Sequence, residues 1–144
     1  MSDAVFDTSV VAYANVAAGV RKHNWESLGR RSALLQSAVS RRVRVRYNPK
    51  LLIEYTQHVK RGRNDLIEAF FAILDSPSAI AVRSNNLTRQ KHQLATGEGW
   101  PSHDEHLLAA AIEGDRPTIY VTEVDLGVCA AGIHRVFRIH VRLV

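Results

Sequence analysis

The sequence contains a single cysteine, Cys129, so no disulfide can close within the chain. That usage fits a reducing compartment, and a cytoplasmic protein is expected. No apolar run approaches the roughly 18 residues that a membrane span requires. The N-terminal stretch lacks a basic region leading into an apolar core, so no signal peptide is expected either. There is no internal repeat, linker or low-complexity tract. No Gly-rich loop of the P-loop or dinucleotide type is present, and no His-Glu-x-x-His arrangement. Nucleotide-cradling loops and the common helical zinc motif are thereby set aside.

What remains is an ordinary globular composition. Hydrophobic residues make up 46% and charged residues 23% of 144 positions, which predicts one domain over residues 1–144. A chain of this length buries roughly two-thirds of its unfolded surface. The net charge is +5, and the basic residues are clustered. Arg41, Arg42, Arg44 and Arg46 form one run; Lys60, Arg61 and Arg63 form another. Such clusters favour a polyanionic partner, and nucleic acid is the expectation. A solvated basic face is the ordinary alternative.

Residues Ala4 to Phe6 read as a short strand ending at Asp7. Thr8 to Val20 reads as a helix, with Thr8 or Ser9 as its cap and Gly19 and residues 21–24 closing it. Trp25 to Ser40 carries helical apolar spacing at Leu28, Leu34, Leu35 and Ala38. Val43, Val45 and Tyr47 alternate with Arg44 and Arg46, the period of a strand with a basic edge. Asn48-Pro49 is a cap and first-turn pair for a helix reaching Val59. Asn64 or Asp65 opens another helix, closed by Pro77. Ala79 to Val82 reads as a strand, and Ser84 to Ser102 as a long polar loop. His103 to Glu113 is helical and Thr118 to Thr122 a β-branched strand. Leu126 to Ile133 is a short helix and Val136 to Val141 a last strand. Strands alternating with helices predict an α/β fold: a central, mostly parallel sheet covered on both faces, in three α/β/α layers. Ligands in such sheets sit at the carboxyl ends of the strands.

Four acidic positions from distant parts of the chain fall on that edge. Asp7 leaves the first strand, Glu54 lies in the second turn of its helix, Asp104 opens another, and Glu123 or Asp125 follows the strand Thr118 to Thr122. Two carboxylates about 4 Å apart repel by roughly 4 kcal/mol at an effective dielectric near 20. Several together call for a cation, and Mg²⁺ or Mn²⁺ is the expected one. Such an ion eases deprotonation of a water and neutralises a scissile phosphate, which is the chemistry of phosphodiester cleavage. Thr8, Ser9 and Thr122 are placed to orient a water or a phosphate. Arg44, Arg46, Lys60, Arg61 and Arg63 are expected to hold an RNA strand through its phosphates. Each acid also has an ordinary role: Asp7 as a helix cap, Glu54 as a surface residue, Asp104 as a partner of its helix's positive end, Glu123 and Asp125 as turn residues. Only the combination points to a site.

The stretches VFDTSV, NPKLLIEY, HDEHLLAAAIEG and IYVTEVDL follow in this order over essentially the whole chain. In that pattern the sequence resembles a PIN-domain nuclease, and in detail the toxin branch found in toxin–antitoxin operons. The resemblance implies a metal-dependent ribonuclease restrained by a cognate antitoxin protein and paired with itself as a homodimer. It places Asp7, Glu54 and Asp104 at the three principal acidic positions. The fourth departs from the family pattern of Thr, any residue, Asp, any residue, Asp. Here Thr122 is followed by Glu123, Val124 and Asp125; either acid can substitute, and Asp125 is slightly preferred. Ser9 stands where the family frequently has Asn.

Two other functions fit parts of the pattern. A fold that has lost turnover would serve as an RNA- or protein-binding module. A small-molecule phosphohydrolase also uses an Asp after its first strand, but the Asp-x-Asp such enzymes carry is missing at Asp7.

Overall fold

The computed structural model describes residues 1–15, 25–62 and 64–144. Its frame is a five-stranded sheet in which every pairing is parallel, in the order β3-β2-β1-β4-β5. The strands are β1 (Ser2–Phe6), β2 (Val43–Tyr47), β3 (Ile80–Ala81), β4 (Thr118–Val121) and β5 (His140–Leu143). The helices are α1 (Thr8–Ala14), α2 (Trp25–Val39), α3 (Pro49–His58), α4 (Asp65–Leu74), α5 (Arg89–Gly97), α6 (Glu105–Ala111), α7 (Val124–Val128) and α8 (Ala130–Phe137). The α/β class and the parallel sheet are as expected from the alternation of strand and helix patterns.

β1 lies in the middle of the sheet. The chain goes from β1 to β2 on one side, and later to β4 on the other. The direction of winding therefore reverses between β1 and β4, which is where open α/β sheets carry their ligand crevice, at the carboxyl ends of the strands. Registry fixes its walls: Phe6 pairs with Tyr120, and the Asp7 amide donates to the Tyr120 carbonyl.

Side chains alternate across the sheet. On one face Phe6 meets Phe70 of α4 edge-on and stacks on Tyr120. On the other face Arg46 of β2 reaches the carbonyls of Ala110 and Ile112, at the end of α6. Phe6, Tyr55, Phe70, Leu107 and Leu108 are fully buried in the resulting core. Among the described residues no helix is long and apolar enough to cross a membrane.

Several boundaries differ from the sequence reading. The polar stretch Ser84 to Ser102 contains α5, capped by the Thr88 hydroxyl accepting from the Lys91 amide. It lacks the apolar stripe that betrays a helix, because Ala95 is its one buried residue. The helix expected from His103 divides into a 3-10 turn, Ser102–Asp104, and α6. The helix expected over Leu126 to Ile133 is two, α7 and α8, and Gly132 lies inside the second. Val136 and Phe137 belong to α8, not to a strand, and Arg138 ends that helix in the left-handed conformation. β5 therefore starts at His140. Residues 16–20 of the first expected helix, and residues 21–24 after it, lie outside the described residues.

Candidate functional site

Asp7 is placed by β1 and begins α1. It occupies the N-cap position, yet its side chain makes no cap bond to the helix. Its Oδ2 instead accepts from the Ser9 hydroxyl at 3.0 Å, and Ser9 Oγ in turn accepts from Thr122 Oγ1 at 2.7 Å. A hydroxyl chain thus ties the end of β4 to the carboxylate that leaves β1. Burial pushes the Asp7 carboxyl up to about 6, and the charges of Asp104 and Glu123 push in the same direction. The Ser9 hydroxyl and the Thr8 backbone amide oppose that rise.

Glu54 reaches the same edge from α3. Asn48 starts this helix, its side-chain oxygen accepting from the Leu51 amide, and Pro49 fills the first position. The Tyr55 hydroxyl donates to the carbonyl of Phe6, the residue before Asp7. That bond fixes α3 against the end of β1. Glu54 Oε2 accepts from the Thr8 hydroxyl at 2.9 Å and lies 3.3 Å from His106 Nε2. The negative charges of both Asp7 and Glu54 reach Tyr55 and help raise its phenol well above the ordinary value, burial being the larger cause.

Asp104 ends the 3-10 turn before α6. Its backbone carbonyl accepts from the Trp100 indole at 2.8 Å. Asn48 Nδ2 donates to the carbonyls of His106 and Ser84, so one buried amide caps α3 and holds α6 beside it. Asp104 is only 8% exposed, and its buried Oδ2 makes no hydrogen bond. His103 Nε2 stands 3.2 Å from that oxygen, at ion-pair distance but outside hydrogen-bond geometry. The Lys50 ammonium, the nearby cation, donates to the His103 carbonyl.

Glu123 follows β4 and precedes the first turn of α7. It is Glu123, of the two candidates, whose charge reaches Asp7. Asp125, also exposed, acts instead on Cys129, whose thiol is raised chiefly by burial. Val124 is the first residue of α7, so Glu123 stands at the N-cap position of that helix and Asp125 in its first turn.

His106 is a residue that the sequence reading left out of the site. It is 3% exposed, and burial pulls its pKa down more than the Glu54 carboxylate beside it pushes up. A neutral imidazole therefore sits under Glu54. A polar residue inside the apolar run of α6 was the available signal.

The basic runs behave differently from expectation. Arg44 Nε donates to Asp3 Oδ1 at 2.8 Å. Arg46 is buried and bound to Asp3 and to two α6-end carbonyls. Both arginines bind the buried Asp3, near the amino end of β1, although the Arg44 side chain stays 42% exposed. The period-two pattern correctly marked the strand, but Asp3, the charge they neutralise, was not recognised as their partner. Arg61 pairs with Glu68 and lies over the Phe71 ring, just past the end of α3. Lys60 is exposed at the same place. Arg63 lies outside the described residues.

The donors at the crevice are carboxylates and hydroxyls, hard oxygen ligands that suit Mg²⁺ or Mn²⁺. Among the described residues, no three or more His, Cys, Asp or Glu side chains stand close enough together to hold a metal ion. The acids are neighbours and not a closed cage. A comparison with protein-family models finds no match, and a comparison with curated proteins finds none either.

Proposed function

We propose that this chain is a divalent-metal-dependent endoribonuclease of the PIN type, with Asp7, Asp104 and Glu123 as its central acids and Glu54 beside them. The observation that carries this reading is the meeting of acids from three separate elements at the β1/β4 crevice, close enough for two of them to raise the third. Like charges acting on a buried carboxylate oppose its ionisation unless a cation joins them. Asp104 Oδ2, buried and without a hydrogen bond, has the chemistry of a ligand atom for a cation. Mg²⁺ commonly takes one or two carboxylates and keeps several waters, so a pair of acids suffices to hold it.

Asp7 and Asp104 would hold the ion, with Glu123 at the outer side. When bound, the ion supplies positive charge against the phosphate and an acidified water. Ser9 and Thr122 keep Asp7 Oδ2 engaged, which leaves binding to the other oxygen of that carboxylate. Thr8 holds Glu54 by a hydrogen bond, with the His106 ring 3.3 Å away, and Glu54 can there accept a proton from a water at the crevice. Asn48, Tyr55 and Trp100 fix the backbones that carry these side chains. The cognate antitoxin and a homodimer belong to this reading through the family resemblance, and a cytoplasmic setting through the single cysteine.

The test is cleavage of single-stranded RNA with Mn²⁺. The wild type is expected to cut, and chelator or Asp7→Asn to abolish cutting. Cleavage that ignores both would overturn the proposal. A second reading has one observation in its favour: Glu54 already accepts from Thr8, and among the described residues no group of three ligands is formed. On that reading the chain binds RNA or a protein without turnover. Salt-sensitive RNA binding with no cleavage under any divalent ion would select it.

A further inference from the structure

Two histidines meet where α8 gives way to β5. His134 lies in the last turn of α8 and is half-buried; His140 opens β5, the edge strand, and is exposed. Between them Arg138 ends the helix in the left-handed conformation, and the buried Ile139 anchors the turn in the core. Both histidine backbones are held. The His134 carbonyl accepts from the Arg138 amide, and the His140 amide donates to the Pro117 carbonyl. The two imidazole rings face each other, with centroids 4.4 Å apart and planes tilted by 31°. Among the described residues neither ring makes a hydrogen bond or an ion pair. His140 is in register with Thr118, the first residue of β4, so the pair sits at the amino end of these strands. The acids of the crevice leave the opposite, carboxyl end.

We propose that His134 and His140 together bind a divalent transition ion that favours imidazole, Zn²⁺ in the first instance, with water completing its shell. Three observations carry this. The first is spacing. Two imidazoles bound side by side to one ion, each at about 2.1 Å, have ring centres about 4.5–5 Å apart. His134 and His140 stand close to that separation already. The second is that both rings keep a nitrogen lone pair that no protein donor takes up, as a neutral imidazole ligand requires. The third is accessibility: His140 is exposed on the edge strand, so an ion reaches the pair from solvent. Arg135, beside His134 in sequence, is tied to Glu98 at 2.7 Å, so its charge is already answered. Among the described residues no third His, Cys, Asp or Glu joins the pair, which leaves the other positions of the ion to water. Imidazole nitrogen selects zinc, copper or nickel, whereas magnesium prefers oxygen. The site is thus distinct from the crevice in place and in chemistry, and it does not depend on the ribonuclease reading. An ion held there fastens the end of α8 to the edge strand.

The experiment titrates the whole chain with Zn²⁺ by isothermal calorimetry, in excess Mg²⁺ so that the oxygen ligands of the crevice are occupied. The wild type is expected to take up Zn²⁺ at this site. His134→Gln and His140→Gln are each expected to weaken that binding about tenfold or more, because one imidazole alone loses the chelate. His58→Gln removes an exposed histidine from α3 and is expected to change nothing. Zinc at ten times its dissociation constant should raise the unfolding temperature of the wild type by about 3–6 °C, and that of His140→Gln by much less. Circular dichroism checks that each variant is folded. If His134→Gln, the half-buried position, is not, the exposed His140→Gln carries the test. No zinc binding in excess Mg²⁺ would overturn the proposal and leave a stacking contact only. So would zinc binding that His140→Gln leaves unchanged, or that His58→Gln weakens as much.

Discussion

Replacing Asp7 by asparagine should make the metal-free protein more stable while removing its activity. The Asp7 carboxyl is 7% exposed and is raised from an ordinary 3.8 to about 6. A tenfold change in proton affinity corresponds to about 1.4 kcal/mol between the two protonation states. Ionised Asp7 therefore costs the fold about 3 kcal/mol at pH 8. The sign follows from the direction in which burial moves the carboxyl. A carboxyl raised in the folded state contributes stability that is fully present below about 3.8 and is lost as the pH rises through about 6. Asparagine never ionises, and its carbonyl can still accept from Ser9. Urea denaturation in chelator should show Asp7→Asn more stable than wild type at pH 8, by about 1–3 kcal/mol, with the difference vanishing near pH 4. Added Mn²⁺ should then stabilise the wild type, by about 1.4 kcal/mol at tenfold its dissociation constant, and not the variant. An Asp7→Asn protein that is less stable than wild type by the same amount at every pH would refute the reasoning, because Asp7 would then be an ordinary structural acid.

Other perturbations test the neighbouring parts. Glu123→Gln should lower Mn²⁺-dependent cleavage about tenfold or more while Asp125→Asn leaves it near wild type; the opposite order would restore Asp125 as the fourth acid. Asn48→Ala removes a helix cap and leaves the His106 and Ser84 carbonyls without their partner, and should cost about 2–4 kcal/mol in urea denaturation. Arg46→Ala leaves the buried Asp3 charge without one of its partners and should cost about 3 kcal/mol, yet leave the salt slope of RNA binding unchanged in the fraction that folds. His106, held neutral by burial, contributes stability that is lost as the pH falls below the ordinary imidazole range. His106→Gln should therefore flatten the acid limb of the pH–stability curve measured in chelator.

What the sequence disclosed was what is encoded locally. Asn48-Pro49 announces a helix start because a cap and its first-turn proline act within one turn, and the structure has that helix from Pro49 to His58. The strand of Val43, Val45 and Tyr47 was legible for the same reason. The partners of Arg44 and Arg46 were not: their charge is answered by Asp3, about forty residues away, which no local pattern reports. The helix α5 was hidden because one buried alanine makes no stripe. The end of α8 was misplaced because Phe137, the last residue of the helix, falls in step with Ile139 and Val141 and so imitates the alternation of a strand. Asp7, Glu54 and Asp104 could be gathered on one edge from topology alone. Where α7 begins, and hence that Glu123 precedes the helix while Asp125 lies in its first turn, could not be read in that way.

The central claim is that the crevice between β1 and β4 takes a divalent ion on Asp7 and Asp104. The most direct measurement is the anomalous difference map of a crystal soaked in Mn²⁺. The account predicts a peak within about 2.1 Å of a carboxylate oxygen from each of those two residues. A well-ordered crevice with no peak, or manganese bound only elsewhere on the surface, would contradict it.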